Sequence, residues 1–180
     1  MSKRGIIFIT SLSVIAVLIV AITIVRFLFF ELLAISGHSM SPTLRNGDRV
    51  LVYKWAYRSR KPDRGDIIAF SMDWERIIVK RIVGLPGDLI EVRNGLLYRD
   101  GELISNEPYV TFYPRDLRRR SYRPRIVKEG QLFVMGDNRV LSVDSKDFGP
   151  ILYKDVIGKA VFIYFPFKRI GKPTPDEEET

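Results

Sequence analysis

The sequence predicts a mostly β protein, with one N-terminal transmembrane helix followed by a single β-rich domain. Three observations carry that prediction. Gly5 to Val25 is a run of 21 uncharged, mainly apolar residues, and a helix of that length spans about 30 Å, the thickness of a bilayer core. Beyond it, short β-branched runs alternate with the turn dipeptides Asn46-Gly47, Asn94-Gly95 and Asp100-Gly101. Outside the N-terminal run no apolar period of 3.6 residues is sustained.

Residues 1–34 read as a short cytoplasmic N-terminus and its anchor. Lys3 and Arg4 precede the apolar run, and basic residues at a short N-terminus keep that end inside. A cleaved signal peptide or a buried core helix would also supply an apolar run. This one is long for a signal h-region, and no small-x-small pattern closes it. Arg26 with Phe27-Leu28-Phe29-Phe30 reads as the outer interfacial belt, so the rest of the chain is expected on the extracytoplasmic side.

Residues 35–170 then read as the β-rich domain. Strands are expected at Arg49 to Tyr53, Ile67 to Phe70, Arg76 to Val83, Leu89 to Val92, Leu96 to Arg99, Gln131 to Met135 and Ala160 to Phe165. Residues 102–125 read as a polar segment with Pro108, Pro114 and Pro124 and a basic run at Arg115, Arg118, Arg119, Arg120, Arg123 and Arg125. A solvated loop and a patch touching anionic headgroups are both compatible with it, and no chemistry is assigned to it. Phe162 to Phe167 is aromatic-dense, either a core strand or, at Phe165 and Phe167, a membrane-dipping edge. Residues 171–180, with Pro173, Pro175 and an acidic end, are expected to be a disordered tail.

Composition narrows the functions. The 180 residues carry 46% hydrophobic and 12% aromatic residues, enough for one folded domain beyond the anchor. With no cysteine and one histidine, disulfides, thiolate zinc sites and multi-histidine metal sites are excluded. A net charge of +8 admits nucleic acid or an anionic membrane as partner. No nucleic-acid motif accompanies the charge, whereas the chain carries its own membrane span.

The chemistry-bearing stretch is Ser36-Gly37-His38-Ser39-Met40-Ser41-Pro42-Thr43-Leu44. Taken alone, Ser39 is as readily a turn residue as a nucleophile. A serine nucleophile needs a base, and His38, its immediate neighbour, points to the opposite side in extended chain. A lysine can serve if it is desolvated. Lys80, in the most apolar strand of the domain, meets that demand, although by pattern alone it reads as an exposed lysine on an amphipathic strand.

Together with Lys80-Arg81-Ile82-Val83-Gly84-Leu85-Pro86-Gly87-Asp88 and Gly136-Asp137-Asn138-Arg139-x-x-Ser142-x-Asp144-Ser145, this stretch resembles the type I signal peptidases, membrane-bound serine proteases with a Ser/Lys dyad. The resemblance runs in order from the anchor to about Phe167. It implies a β-rich catalytic domain of the signal-peptidase type, with Ser39 as nucleophile and Lys80 as general base. It further implies that Ser142 orients the base and that Asp144 supports the site through a salt bridge. Substrate would lie extended near Gly37, Ile78 and Val79, with Met40 and Leu44 shaping shallow pockets for small side chains. No cofactor or metal is implied.

The expected function is removal of signal peptides from exported preproteins after small-x-small sites, at a bacterial cytoplasmic membrane. An anchored, inactive preprotein-binding protein and a specialised pilin-processing Ser/Lys peptidase are the alternatives. A self-cleaving repressor would lack the anchor, and no nucleic-acid partner is expected. The chain departs from the family pattern at Lys146, where arginine is common, at Val140 and Leu141, where polar residues are common, and at Gly37, where some members carry an oxyanion-stabilising serine.

Overall fold

A computed structural model describes residues 3–73, 76–110 and 121–175. Helix α1 covers Lys3–Phe29. Within it Ser11–Phe29 is long and apolar enough to cross a membrane, with a mean hydropathy of 2.7. Its described side chains through Leu28 are all exposed. A helix apolar all round and covered by nothing in its own chain has the character of a membrane span.

The helix passes directly into strand β1, Phe30–Ala34, which pairs antiparallel with β2, Arg49–Tyr53. This corrects the expected boundary at residue 34. Apart from Glu31, the residues on both sides of the junction are apolar, so composition does not mark where period 3.6 gives way to period 2. The junction is fastened from β2's end: Lys54 Nζ donates to the Phe27 carbonyl at 2.6 Å, and the Phe29 and Trp55 rings sit 5.0 Å apart.

The remaining strands are β3 (Ile67–Asp73), β4 (Arg76–Gly84), β5 (Leu89–Arg93), β6 (Leu96–Arg99), β7 (Glu102–Leu103), β8 (Tyr122–Ile126), β9 (Gln131–Met135), β10 (Ile151–Leu152) and β11 (Val156–Phe165). A single-turn helix α2, Ser145–Phe148, lies between β9 and β10. A seven-stranded sheet has the order β1-β2-β11-β3-β4-β9-β10, and a four-stranded sheet the order β7-β6-β5-β8. The two tight hairpins of the smaller sheet turn at Asn94-Gly95 and Asp100-Gly101, all four residues at positive φ, the backbone that a right-twisted hairpin requires.

Segment 102–125 is more ordered than a loop at both its ends. β7 pairs with β6, and β8 pairs with β5; Arg123 and Arg125 are exposed on β8. Arg115, Arg118, Arg119 and Arg120 lie outside the described residues. Gly171, assigned to the tail, forms a bridge with Ile163.

The strand alternation fills three apolar clusters. On β3, Ile67 and Ala69 join Met40, Leu44, Val50 and Val52, while Ile68 and Phe70 join Ile82, Leu132 and Val134 on the other face. β3 is thus buried on both faces and reads as a continuous apolar run. Val83, Phe133 and Met135 of the large sheet pack with Ile90, Val92 and Leu97 of the small one. β4 contributes Val83 to that contact and also carries Lys80, which ties the site to the core between the sheets.

Candidate active site

The loop after β1 is tied back on itself. Ile35 donates to the Asp48 carbonyl at 2.8 Å, Gly47 to the Ile35 carbonyl at 2.9 Å, and the Gly37 N–H to Asn46 Oδ1 at 2.9 Å. These bonds hold Ser36 to Met40 across the start of β4. His38 is exposed on this loop. Met40 turns into the core, and Ser39 beside it is half-buried.

Lys80 stands on β4 opposite Ile68 and is 4% exposed. Its Nζ lies 2.7 Å from Ser39 Oγ. Among the described residues no carboxylate forms an ion pair with it. Burial among apolar side chains penalises the ammonium and, helped by the positive Lys146 nearby, brings Lys80 down to about 8 against the opposing pull of Asp144 and Asp137. A substantial fraction of this lysine is therefore neutral in mildly alkaline solution, where it can take a proton from a hydroxyl.

The Gly136–Arg139 turn after β9 closes the site from behind. The Asn138 N–H donates to the Ser39 carbonyl at 3.1 Å, and the Ser142 N–H to the Asn138 carbonyl at 3.0 Å. Gly136 is wedged between Ser39 and Ser142, where a methyl group would overlap both the Ser39 carbonyl oxygen and the Ser142 hydroxyl. Only glycine fits there. Ser142 is fully buried. The structure thus brings Ser39, Lys80 and Ser142 into one cluster.

Asp144 is fully buried and serves three groups. It caps α2, accepts from the Gly136 N–H at 3.0 Å, and pairs with Lys146 Nζ at 2.8 Å. Lys146 also donates to the Ser142 carbonyl at 2.6 Å. The lysine at this position therefore divides its contacts between the Asp144 carboxylate, a longer one to Asp147 at 3.5 Å, and a carbonyl, where an arginine would offer a planar fork. The Val140 and Leu141 departures leave the turn bonds intact. Leu141 N–H donates to Asn138 Oδ1 at 3.1 Å, and the Leu141 side chain faces solvent.

A cleft of about 190 Å³ runs along Ser39 and Lys80, with Leu33 to Ser36 on one wall, Ile77 to Lys80 on the other, and Ser39 and Met40 at its base. Met40, Ile78 and Val79 line it. Leu44 does not; it is fully buried in the core beside Val50 and Val52. Gly37 sits on the exposed loop beyond the cleft wall. The cleft is smaller than the usual ligand pocket of about 300–1,000 Å³. Strand β4 pairs with β9 only at Arg81, Ile82 and Gly84, so residues 77–80 keep an edge without a strand partner among the described residues.

Sequence reasoning passed over a buried ion pair beside Lys80. Arg81 Nε and Nη2 donate to the two oxygens of Asp137 at 2.8 and 2.6 Å, and Arg81 Nη1 donates to the Gly65 carbonyl at 2.8 Å. Thr43 Oγ1 donates to the same carboxylate. The available signal was an arginine inside an apolar strand, since a buried guanidinium demands a carboxylate. This pair joins the Ser39 loop, β4 and the Gly136–Arg139 turn.

The profile of the family described as "Signal peptidase, peptidase S26" matches residues 8–165. Signal peptidase I of Bacillus licheniformis is 37% identical over 166 residues, 88% of this chain and 89% of its own length. Probable signal peptidase I-1 of Synechocystis is 37% identical over 171 residues, 90% of this chain and 85% of its own. A crystal structure of a signal peptidase I from Enterococcus faecalis is 32% identical, covers 57% of this chain and 98% of its own, and superposes with a TM-score of 0.47. With a family match over most of its length and two curated relatives aligned nearly end to end, this chain belongs to the peptidase S26 family of signal peptidases.

Proposed function

We propose that the protein is a membrane-anchored serine endopeptidase that removes signal peptides from exported preproteins, with Ser39 as nucleophile and Lys80 as general base. The observation that carries this reading is the 2.7 Å approach of Nζ to Oγ inside an apolar setting, with no carboxylate paired to the lysine. Neutral Lys80 accepts the Ser39 proton as Oγ attacks the scissile carbonyl. The resulting ammonium protonates the leaving amine, and the neutral amine then activates the water that hydrolyses the acyl-enzyme. The Ser39 N–H is a candidate donor to the developing oxyanion.

The substrate is read as an extended segment added to the open edge of β4 at residues 77–80, facing the β1 exit across the cleft. A cleft of that size suits small side chains, in keeping with cleavage after small-x-small sequences. Ser142 and Asp144 are read as holding the dyad in place. Helix α1 is read as the anchor, with the N-terminus inside a bacterial cytoplasmic membrane and the β domain outside. Because β1 follows the helix without a linker, the cleft is carried close to the bilayer, where a substrate's own apolar segment ends.

The deciding experiment is cleavage of a preprotein in detergent by wild type, Ser39→Ala and Lys80→Ala, with N-terminal sequencing of the product. Cleavage after a small-x-small site that both substitutions abolish is the expected outcome. Cleavage surviving Lys80→Ala would mean another base and return attention to His38. A folded wild type without activity would leave a preprotein-binding protein as the better account.

A further inference from the structure

The smaller sheet sends two side chains into the back of the site. After β7, Ile104 bonds the Leu97 carbonyl at 2.9 Å and packs on the cluster between the sheets. The chain then makes a turn closed by Val110 N–H to the Glu107 carbonyl at 3.0 Å. Glu107 at the start of that turn is 8% exposed, and its Oε1 accepts from Arg139 Nη2 at 2.6 Å. Arg139 is 3% exposed, and its Nε donates to the Gly136 carbonyl at 3.1 Å. Two residues on, the half-buried Tyr109 lays its ring over the Arg81 guanidinium, 3.8 Å from ring centroid to Cζ.

Both contacts converge on the turn that sets Ser39. Arg139 closes the Gly136–Arg139 turn on itself, and Arg81 grips Asp137 within the same turn. The remaining member, Asn138, donates its N–H to the Ser39 carbonyl. A buried guanidinium without a carboxylate is strongly unfavourable, so Arg139 holds its place only while Glu107 is beneath it. A cation under an aromatic face is held by the ring quadrupole, which fixes the plane of Arg81 and with it the fork to Asp137.

We propose that Glu107 and Tyr109 are positioning residues for the dyad: they lock the Gly136–Arg139 turn from the side away from the large sheet, and so set the position of Ser39 relative to Lys80. They touch no reacting atom. The role rests on reading Ser39 and Lys80 as the dyad. It gives segment 102–125, to which the sequence assigned no chemistry, a part in catalysis at its first turn.

The test uses the full-length protein in detergent with a preprotein substrate, kcat being counted per folded molecule well below each variant's melting temperature. Glu107→Gln and Tyr109→Ala are each expected to lower kcat about tenfold to a hundredfold, the scale of a small misplacement of reacting groups, with KM within about twofold. Tyr109→Phe, which keeps the ring over Arg81, is expected to restore most of what Tyr109→Ala loses. The double variant Glu107→Gln/Arg139→Gln is expected to fall less than the product of its two single losses.

An unchanged kcat per folded molecule with a lowered melting temperature would make both side chains structural only and overturn the role. A rise in KM alone would make them substrate contacts and overturn it too. Should Glu107→Gln fail to fold, the half-buried Tyr109 carries the same test. Cleavage by Ser39→Ala in the same assay would overturn the dyad and this role together, whereas a silent Ser39→Ala beside fully active Glu107 and Tyr109 variants would overturn this role alone.

Discussion

Two buried lysines stand near one another in the site, and the fold treats them in opposite ways. Lys80 is 4% and Lys146 9% exposed. Lys80 rises from a strand among Ile68, Ile78 and Val79 and meets a hydroxyl at 2.7 Å. Lys146 lies in the single turn of α2 and meets the Asp144 carboxylate at 2.8 Å, the Ser142 carbonyl at 2.6 Å and Asp147 at 3.5 Å. Burial costs the same group the same hydration in both places. The difference is the counter-charge: one lysine is held as a structural cation, the other is left with an alcohol and pushed toward its neutral form. On the proposed reading of Lys80, a general base is made by withholding a carboxylate, and the Asp144 carboxylate sits on the neighbouring Lys146 instead.

Removing the unpaired lysine is expected to give the largest effect. Lys80→Met should lower kcat/KM by roughly 10²–10⁴-fold, the usual contribution of a general base, and Lys80→Arg should do no better because guanidinium does not deprotonate. The same Lys80→Met change should stabilise the fold. A lysine at about 8 in the folded state and 10.5 unfolded penalises the folded state by about 3 kcal/mol at pH 7. The unfolded chain binds the extra proton between those two values, so wild-type stability is fully depressed below pH 8 and recovers as pH rises toward 10.5. Denaturant unfolding should show the Met variant ahead by about 2–3 kcal/mol at pH 7 and the gap closing at pH 10. No gap at pH 7 would mean that Lys80 is not desolvated.

Removing the carboxylate from the paired lysine should act in the opposite sense. Asp144→Asn removes the nearer of the two carboxylates on the buried Lys146 ammonium, leaving Asp147 at 3.5 Å, and is expected to destabilise by up to about 3–5 kcal/mol, read as a lower denaturant midpoint at unchanged slope. Asparagine still caps a helix well, but its one oxygen cannot also accept from the Gly136 N–H, so the loss reports on the ion pair together with that bond. A change under about 1 kcal/mol would mean that Asp147 and the Ser142 carbonyl satisfy Lys146.

How much of this contrast the sequence displayed depends on the distance over which each feature is decided. The N-terminal apolar helix, the Asn94-Gly95 hairpin and the alternation of Val50 and Val52 are local patterns, and they appear in the structure where expected. Strand β1 was hidden because, apart from Glu31, Phe27 to Ala34 is apolar on both sides of the switch from helix to strand. Leu44 was given to the substrate, whereas the turn begun at Met40 carries it into the core. The Arg81–Asp137 and Glu107–Arg139 pairs join residues 56 and 32 positions apart. No local period announces a charge that is buried because its partner arrives from another strand or another sheet.

The smallest effect tests whether the two lysines sense each other. The acid limb of kcat/KM should have its midpoint near pH 8, where Lys80 loses its proton, and activity should fall about tenfold per pH unit below it. Lys146→Met removes the positive neighbour that helps to hold Lys80 down, and it exposes Lys80 to an unpaired Asp144 that favours the ammonium. Both changes act in one direction, so the limb should move to higher pH while activity at pH 10 stays closer to wild type than activity at pH 7. Lys146→Arg keeps the charge and should leave the limb where it is. A limb that moves equally in both variants would mean that Lys146 acts on Lys80 by packing around Asp144 and not by its charge.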